Sequence, residues 1–109
     1  MGGLREKDVK GDIKEALDHE GIWYFMPLMM GYGRTGIPDF ICCWGGRLLA
    51  IEAKGKGGEL RPSQSREIED LESAGATVWV VGPDHIPALE EELKRWKSSV
   101  RKTRYSSKA

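Results

Sequence analysis

Two apolar segments joined by a pair of glycines place the strongest constraint on the fold of this 109-residue chain. Residues 38–44 and 47–54 are rich in strand-forming side chains, and only Gly45 and Gly46 separate them. A two-residue glycine connection is typical of a β-hairpin, because glycine readily adopts the positive φ angles of such a turn. The second segment is mostly apolar, which predicts a central strand. We therefore expect a sheet built around this hairpin.

Apolar periodicity and the positions of glycine and proline predict the remaining elements. They are helix 5–20, strand 22–26, helix 62–74, strand 77–81 and helix 87–97. Ser63 is a candidate N-cap for the second helix. The resulting order, αβββαβ with a C-terminal helix, predicts an α/β fold with a mixed central sheet flanked by helices.

Length and composition exclude several classes of protein. With 39% apolar and 31% charged residues, the chain fits neither a disordered segment nor a membrane protein. Its length suits one domain, which we expect over residues 1–97, followed by a basic tail over 98–109. The N-terminus lacks the apolar segment of a signal peptide, so we expect a bacterial cytoplasm, or the host cytoplasm if a phage encodes the protein.

Charge is unevenly distributed although 17 basic and 17 acidic residues cancel. Residues 67–92 carry eight acidic and no basic side chains, whereas residues 93–109 carry seven basic and no acidic ones. A basic tail can hold DNA by displacing counterions from the phosphates. A solvated chain end explains the same charges equally well.

Three chemically suited side chains lie at one end of the predicted hairpin. Asp39 begins one strand, while Glu52 and Lys54 lie near the end of the other, so an antiparallel pairing brings them together. Two neighbouring carboxylates repel each other unless a cation lies between them. Their oxygens, with the Ala53 carbonyl as a further ligand, suit Mg²⁺ or Mn²⁺. The alternative is an exposed strand end with a weak ion pair.

Three short segments carry a resemblance to a known family: Gly36-Ile-Pro-Asp39, Ile51-Glu-Ala-Lys54 and Pro62-Ser-Gln64. With the order of elements, they resemble the PD-(D/E)XK nuclease superfamily and, more narrowly, the VRR-NUC family of virus-type replication and repair nucleases. The resemblance spans about Glu6 to Val81 and implies a restriction-endonuclease-like core. It implies a metal-dependent DNA endonuclease in which Asp39 and Glu52 bind the metal and Lys54 assists the attacking water.

The resemblance also implies two supporting residues. Gln64, at the start of the second helix, would hold the metal-bound water or a phosphate. The family has an acidic residue on its first helix near the metal. Glu6 fits that position better by its distance from Gly21, and Glu15 is the alternative. From their positions beside the proposed site, the basic residues that could contact phosphates are Arg34, Lys56 and Arg61.

Compact members of this family resemble Holliday junction resolvases and act as homodimers. The resemblance therefore implies branched DNA as substrate, a second copy as partner and a role in DNA repair. The alternatives are a flap or nicking nuclease of the same superfamily and a non-catalytic DNA-binding module. The sequence has no phosphate-binding loop of the Gly-x₄-Gly-Lys-Ser/Thr type, so we expect no nucleotide cofactor.

Overall fold

The computed structural model describes residues 3–28 and 33–99, which form a four-stranded mixed sheet flanked by three helices. The elements in chain order are α1 (Glu6–His19), β1 (Trp23–Phe25), β2 (Phe40–Trp44), β3 (Arg47–Ala53), α2 (Pro62–Ser73), β4 (Thr77–Val81), a 3₁₀ turn (Pro83–His85) and α3 (Ile86–Ser99). The predicted fold class and order are confirmed. The predicted basic tail lies outside the described residues from position 100 onward. None of the described helices combines the length and apolarity needed to cross a membrane.

The hairpin forms as the glycine pair predicts. Gly45 and Gly46 have φ angles of 60° and 80°, and Trp44 pairs directly with Arg47 across the turn. The strand order is β1-β2-β3-β4, with antiparallel pairing between β1 and β2 and between β2 and β3. The last pair, β3 with β4, is parallel. The apolar strand β3 therefore lies inside the sheet, as predicted.

The N-terminus of α2 differs from the prediction in its cap. Arg61, and not Ser63, is the N-cap residue, and its N–H donates to the Gln64 side-chain oxygen at 2.8 Å. Pro62 occupies the first turn, where the missing N–H has no helical partner to lose. Gln64 reaches back three residues to the cap residue, as the last residue of a capping box does, and Ser63 lies inside the first turn of the helix.

Helices cover both faces of the sheet. The apolar faces of α1 and α3 pack together and share one core cluster with alternate residues of β2 and β3. Members of that cluster include Val9, Ile13, Leu17, Leu89, Leu93, Phe40, Cys42, Leu49 and Ile51. Glu52 alternates with Ile51 along β3 and contacts Gln64 of α2, so α2 lies on the opposite face. The sheet is thus the middle layer, and its Glu52 face is polar at one end.

Neighbouring leucines of β3 allow a direct test of this layering. Leu49 is fully buried, whereas Leu48 is 36% exposed on the other face. We expect Leu49→Ala to lower the free energy of unfolding by about 2–5 kcal/mol, because it leaves a cavity in the core. Leu48→Ala is the control and should cost about 1 kcal/mol or less. Urea denaturation of both variants checks this, and equal losses would contradict the assignment of faces.

Candidate metal and nuclease site

The register of the hairpin brings Asp39 and Glu52 together. Phe40 pairs with Ile51, so the next position towards the strand end sets Asp39 opposite Glu52. The Asp39 Oδ2 atom accepts the Ala53 backbone N–H at 2.8 Å, which fixes the carboxylate against β3. The two strand ends therefore lie together, as predicted, and Ala53 lies beside them.

Glu52 is a carboxylate in an unusually buried position. Its exposure is only 2%, and Gln64 Nε2 donates to Oε2 at 2.7 Å. The Lys54 Nζ atom lies 3.5 Å from the same oxygen. Burial raises the pKa of Glu52 to about 7, with a further contribution from the Asp39 charge, while Lys54 opposes the rise. A cation placed against this carboxylate would therefore stabilise its ionised form.

Lys54 is held by Gln64 as well as by Glu52. The Lys54 ammonium donates to Gln64 Oε1 at 2.9 Å, and that oxygen also accepts the Arg61 N–H. The Gln64 residue is 5% exposed, and its amide joins the start of α2 to Glu52 on β3 and to Lys54 just after that strand. Gln64 thus orients the carboxylate and the ammonium relative to each other.

Helix α1 contributes a carboxylate and a lysine to the same place. The Lys10 Nζ atom lies 3.4 Å from Asp39 Oδ1 and 3.5 Å from Glu6 Oε2. Glu15 lines a separate cavity with Asp18, so of the two acidic candidates the structure brings Glu6 to the site. The sequence analysis missed Lys10. Its spacing of four residues from Glu6, on one helix face, is the signal that could have indicated it.

These side chains line one cavity of about 340 Å³. Its walls are formed by Glu6, Lys10, Gly36, Ile37, Asp39, Glu52, Lys54, Glu59, Arg61 and Gln64. Four elements or their ends therefore converge here: α1, β2, β3 and α2. Three carboxylates predicted as metal ligands and the two side chains predicted to assist catalysis share a single groove.

Only one of the three predicted phosphate-binding residues lines this groove. Arg61 does so, at the start of α2. Arg34 forms ion pairs with the buried Glu67 and with Asp70, both on α2. Lys56 lines a neighbouring cavity, and its backbone N–H donates to the Leu4 carbonyl at 2.8 Å. The proposed DNA contacts of these residues stay a prediction.

Two glycines allow the helix N-termini to approach the site. A Cβ atom on Gly36 would lie 2.4 Å from the Ser63 carbonyl oxygen and 2.9 Å from the Gln64 nitrogen. One on Gly55 would lie 2.8 Å from the Glu6 nitrogen. All three distances are shorter than a side chain tolerates. Gly36 therefore lets α2 bring Gln64 to Glu52, and Gly55 does the same for α1 and Glu6.

The VRR-NUC domain model matches residues 14–83, which is more than half of the chain. The chain belongs to the VRR-NUC domain family. This makes it a nuclease-type hydrolase domain whose substrate is DNA. The matched range of the VRR-NUC domain includes Asp39, Glu52, Lys54 and Gln64 and begins after Glu6. No curated protein matches the chain.

The buried Glu52 makes stability depend on pH. In the unfolded chain this carboxyl ionises near pH 4.5, whereas the folded protein keeps its proton up to about pH 7. Between these values the folded state binds more protons, so stability falls as pH rises from 4.5 to 7. Glu52→Gln removes this dependence. Relative to the unsubstituted protein, its free energy of unfolding should rise by about 3 kcal/mol between pH 4 and pH 8.

Urea denaturation at the two pH values, in the presence of a chelator, measures this difference. Glu59→Gln is the matched control, because Glu59 is an exposed carboxylate on the rim of the same cavity. It should keep the pH profile of the unsubstituted protein. If the stability of Glu52→Gln fell with rising pH as much as that of the unsubstituted protein, the raised pKa of Glu52 would be contradicted.

Gly36 can be tested against a second glycine of the same loop. Gly36 and Gly33 have φ angles of 79° and 83°, but a Cβ atom on Gly33 meets none of the described residues within 4 Å. Alanine therefore introduces similar backbone strain at both positions and a steric clash only at Gly36. We expect Gly36→Ala to lose at least about 1 kcal/mol more unfolding free energy than Gly33→Ala. Similar losses would show that α2 can shift freely.

Proposed function

We propose that this VRR-NUC domain is a metal-dependent DNA endonuclease that hydrolyses phosphodiester bonds in the groove between α1, α2 and the β2–β3 hairpin. The observation that carries the proposal is the convergence of Asp39, Glu52, Lys54 and Gln64 in one cavity. Two carboxylates, an ammonium and an amide provide groups for binding a metal and for stabilising negative charge on a phosphate. An exposed strand end with one weak ion pair does not explain a carboxylate as buried as Glu52.

The donor set fits Mg²⁺ or Mn²⁺. Asp39 and Glu52 would hold the ion, with the Ala53 carbonyl and Glu6 as further ligands, and all these donors are the hard oxygens that such ions prefer. The raised pKa of Glu52 supports this fit, because the surrounding protein groups only partly stabilise the negative charge of the buried carboxylate. When bound, the ion supplies Lewis-acid polarisation of a phosphodiester oxygen and activation of water.

Lys54 is suited to stabilise the charge that develops on the phosphate. Its side chain is 12% exposed and is held by Glu52 and Gln64, so the ammonium is already oriented before DNA binds. A preoriented cation in a partly buried site stabilises a transition state more than a mobile surface lysine does. Gln64 acts through Glu52 and Lys54 as a positioning residue, and its amide is also within the cavity for contact with water or phosphate.

The proposal extends to branched DNA and to a homodimer. The edge strand β1 exposes Trp23 to 60% and Phe25 to 48%, on the same face of the strand. Large exposed aromatic side chains support packing against a second copy. Two active sites related by a two-fold axis would make the paired cuts that resolve a four-way junction.

The function is tested with labelled duplex, flap and four-way DNA, each with Mg²⁺, Mn²⁺ or EDTA. We expect cleavage of four-way DNA that requires the metal and stops in EDTA. Cleavage restricted to flaps or to single nicks would assign the related nuclease activity instead. DNA binding without cleavage under every condition would overturn the proposal. Sedimentation velocity of the same preparation tests for the dimer.

Replacing the proposed catalytic cation gives the sharpest test of mechanism. Lys54→Met should reduce the cleavage rate about 10³-fold, since it removes a preoriented charge from the transition state. Folding and DNA binding, measured by circular dichroism and fluorescence anisotropy, should persist. Lys14→Met, at an exposed position on α1 outside the groove, is the control for lost charge. Full cleavage by Lys54→Met would remove Lys54 from the mechanism.

A further inference from the structure

We propose that Lys10 is a built-in counter-cation that competes with the divalent ion for the carboxylates of Asp39 and Glu6. Its ammonium lies 3.4 Å from Asp39 Oδ1 and 3.5 Å from Glu6 Oε2, so one cation bridges two proposed ligands. This inference rests on the proposed function, because it requires metal binding at these oxygens. Lys10 would thereby set the affinity of the site for the divalent ion.

The contacts of Asp39 show why the two cations compete. Its Oδ2 atom is bonded to the Ala53 backbone N–H, which fixes the carboxylate on the sheet. Oδ1 is the oxygen that faces away from this bond, and it is the one that Lys10 contacts. A divalent ion coordinated by Oδ1 would lie close to the lysine nitrogen, and the two positive charges would repel each other.

Of the two lysines in the groove, Lys10 is the one able to leave. The Lys54 side chain is 12% exposed, and its ammonium donates to Gln64 and lies beside Glu52. The Lys10 side chain is 35% exposed and is held by ion pairs alone, one of them to a half-exposed Glu6. Both ion pairs are partly open to solvent, which weakens them, so the side chain can swing into solvent when a stronger cation binds.

Lys10 therefore has opposite effects in the two forms of the site. Without a divalent ion it lowers the repulsion among the three carboxylates and stabilises the fold. With the ion bound, its positive charge opposes binding. A neutral side chain of similar length at this position should weaken the metal-free protein and tighten the hold on the metal.

The experiment uses the full chain without DNA and measures Mn²⁺ binding by titration calorimetry and thermal unfolding. We expect Lys10→Met to lower the Kd for Mn²⁺ at least about tenfold, since it removes a unit charge close to the ligand oxygens. The melting temperature of Lys10→Met in EDTA should be lower than that of the unsubstituted protein. The rise in melting temperature on adding Mn²⁺ should be larger for the variant. Lys10→Arg keeps the charge and should keep the original affinity.

Lys14→Met is the matched control, because Lys14 is exposed on the same helix one turn further on. It makes the same change in net charge and should leave the Kd within about twofold, because the charge of an exposed lysine is screened. An unchanged or higher Kd for a folded Lys10→Met, or an equal effect of Lys14→Met, would overturn the inference.

A separate arm distinguishes this failure from failure of the proposed function. Asp39→Asn should lose Mn²⁺ binding that the unsubstituted protein shows. If the unsubstituted protein binds Mn²⁺ and Asp39→Asn does not, the metal site stands and the result for Lys10→Met decides the inference. If the unsubstituted protein binds no Mn²⁺, the metal site and the role of Lys10 fall together.

Discussion

The site depends first on the cross-strand opposition of Asp39 and Glu52, which the β2–β3 hairpin sets. Side chains alternate along a strand, so a slip of one residue would turn Glu52 towards the apolar core and move Ile51 out of it. The two-residue turn at Gly45-Gly46 and the burial of one strand face exclude that slip. The interaction that fixes the fold therefore also fixes the distance between two proposed metal ligands.

The second constraint is the electrostatic state of a nearly fully buried carboxylate. Glu52 is surrounded by polar groups, the ammonium of Lys54 just after β3 and the amide of Gln64 on α2. These contacts compensate its charge only in part, as the pKa of about 7 indicates. A site of this kind lowers the stability of the fold near neutral pH, and a bound cation would recover that stability. Buried ionisable groups with perturbed pKa values, which lower the stability of the fold, are typical of functional sites.

Helix N-termini complete the groove because small residues let them approach. Gly36 lies against the start of α2 and Gly55 against the start of α1, each at distances that admit no side chain. The family assignment rests on residues 14–83, whereas Glu6 and Lys10 precede that range. The contribution of α1 to the site is thus visible in the tertiary contacts of this chain, outside the matched segment.

Much of the fold was determined by the sequence itself. Alternating apolar patterns, glycine turns and helical periodicity placed all seven main elements, because each signal arises from residues close together in the chain. The alternation of side chains along a strand and the position of the hairpin turn likewise predicted Glu52 and Lys54 on one strand face and Asp39 at the adjoining strand end. The N-cap of α2 was wrong, since the helix begins at Pro62 and Arg61 is its N-cap, with the Arg61 N–H donated to the Gln64 side chain.

Contacts between distant elements were decided only by the tertiary structure. The choice between Glu6 and Glu15 depends on which end of α1 reaches the hairpin, and no periodicity contains that information. The bridge from Lys10 to Asp39, and the pairing of Arg34 with Glu67, likewise join residues about thirty positions apart. Local sequence specifies which face a side chain occupies, whereas packing of whole helices and strands determines what that face meets.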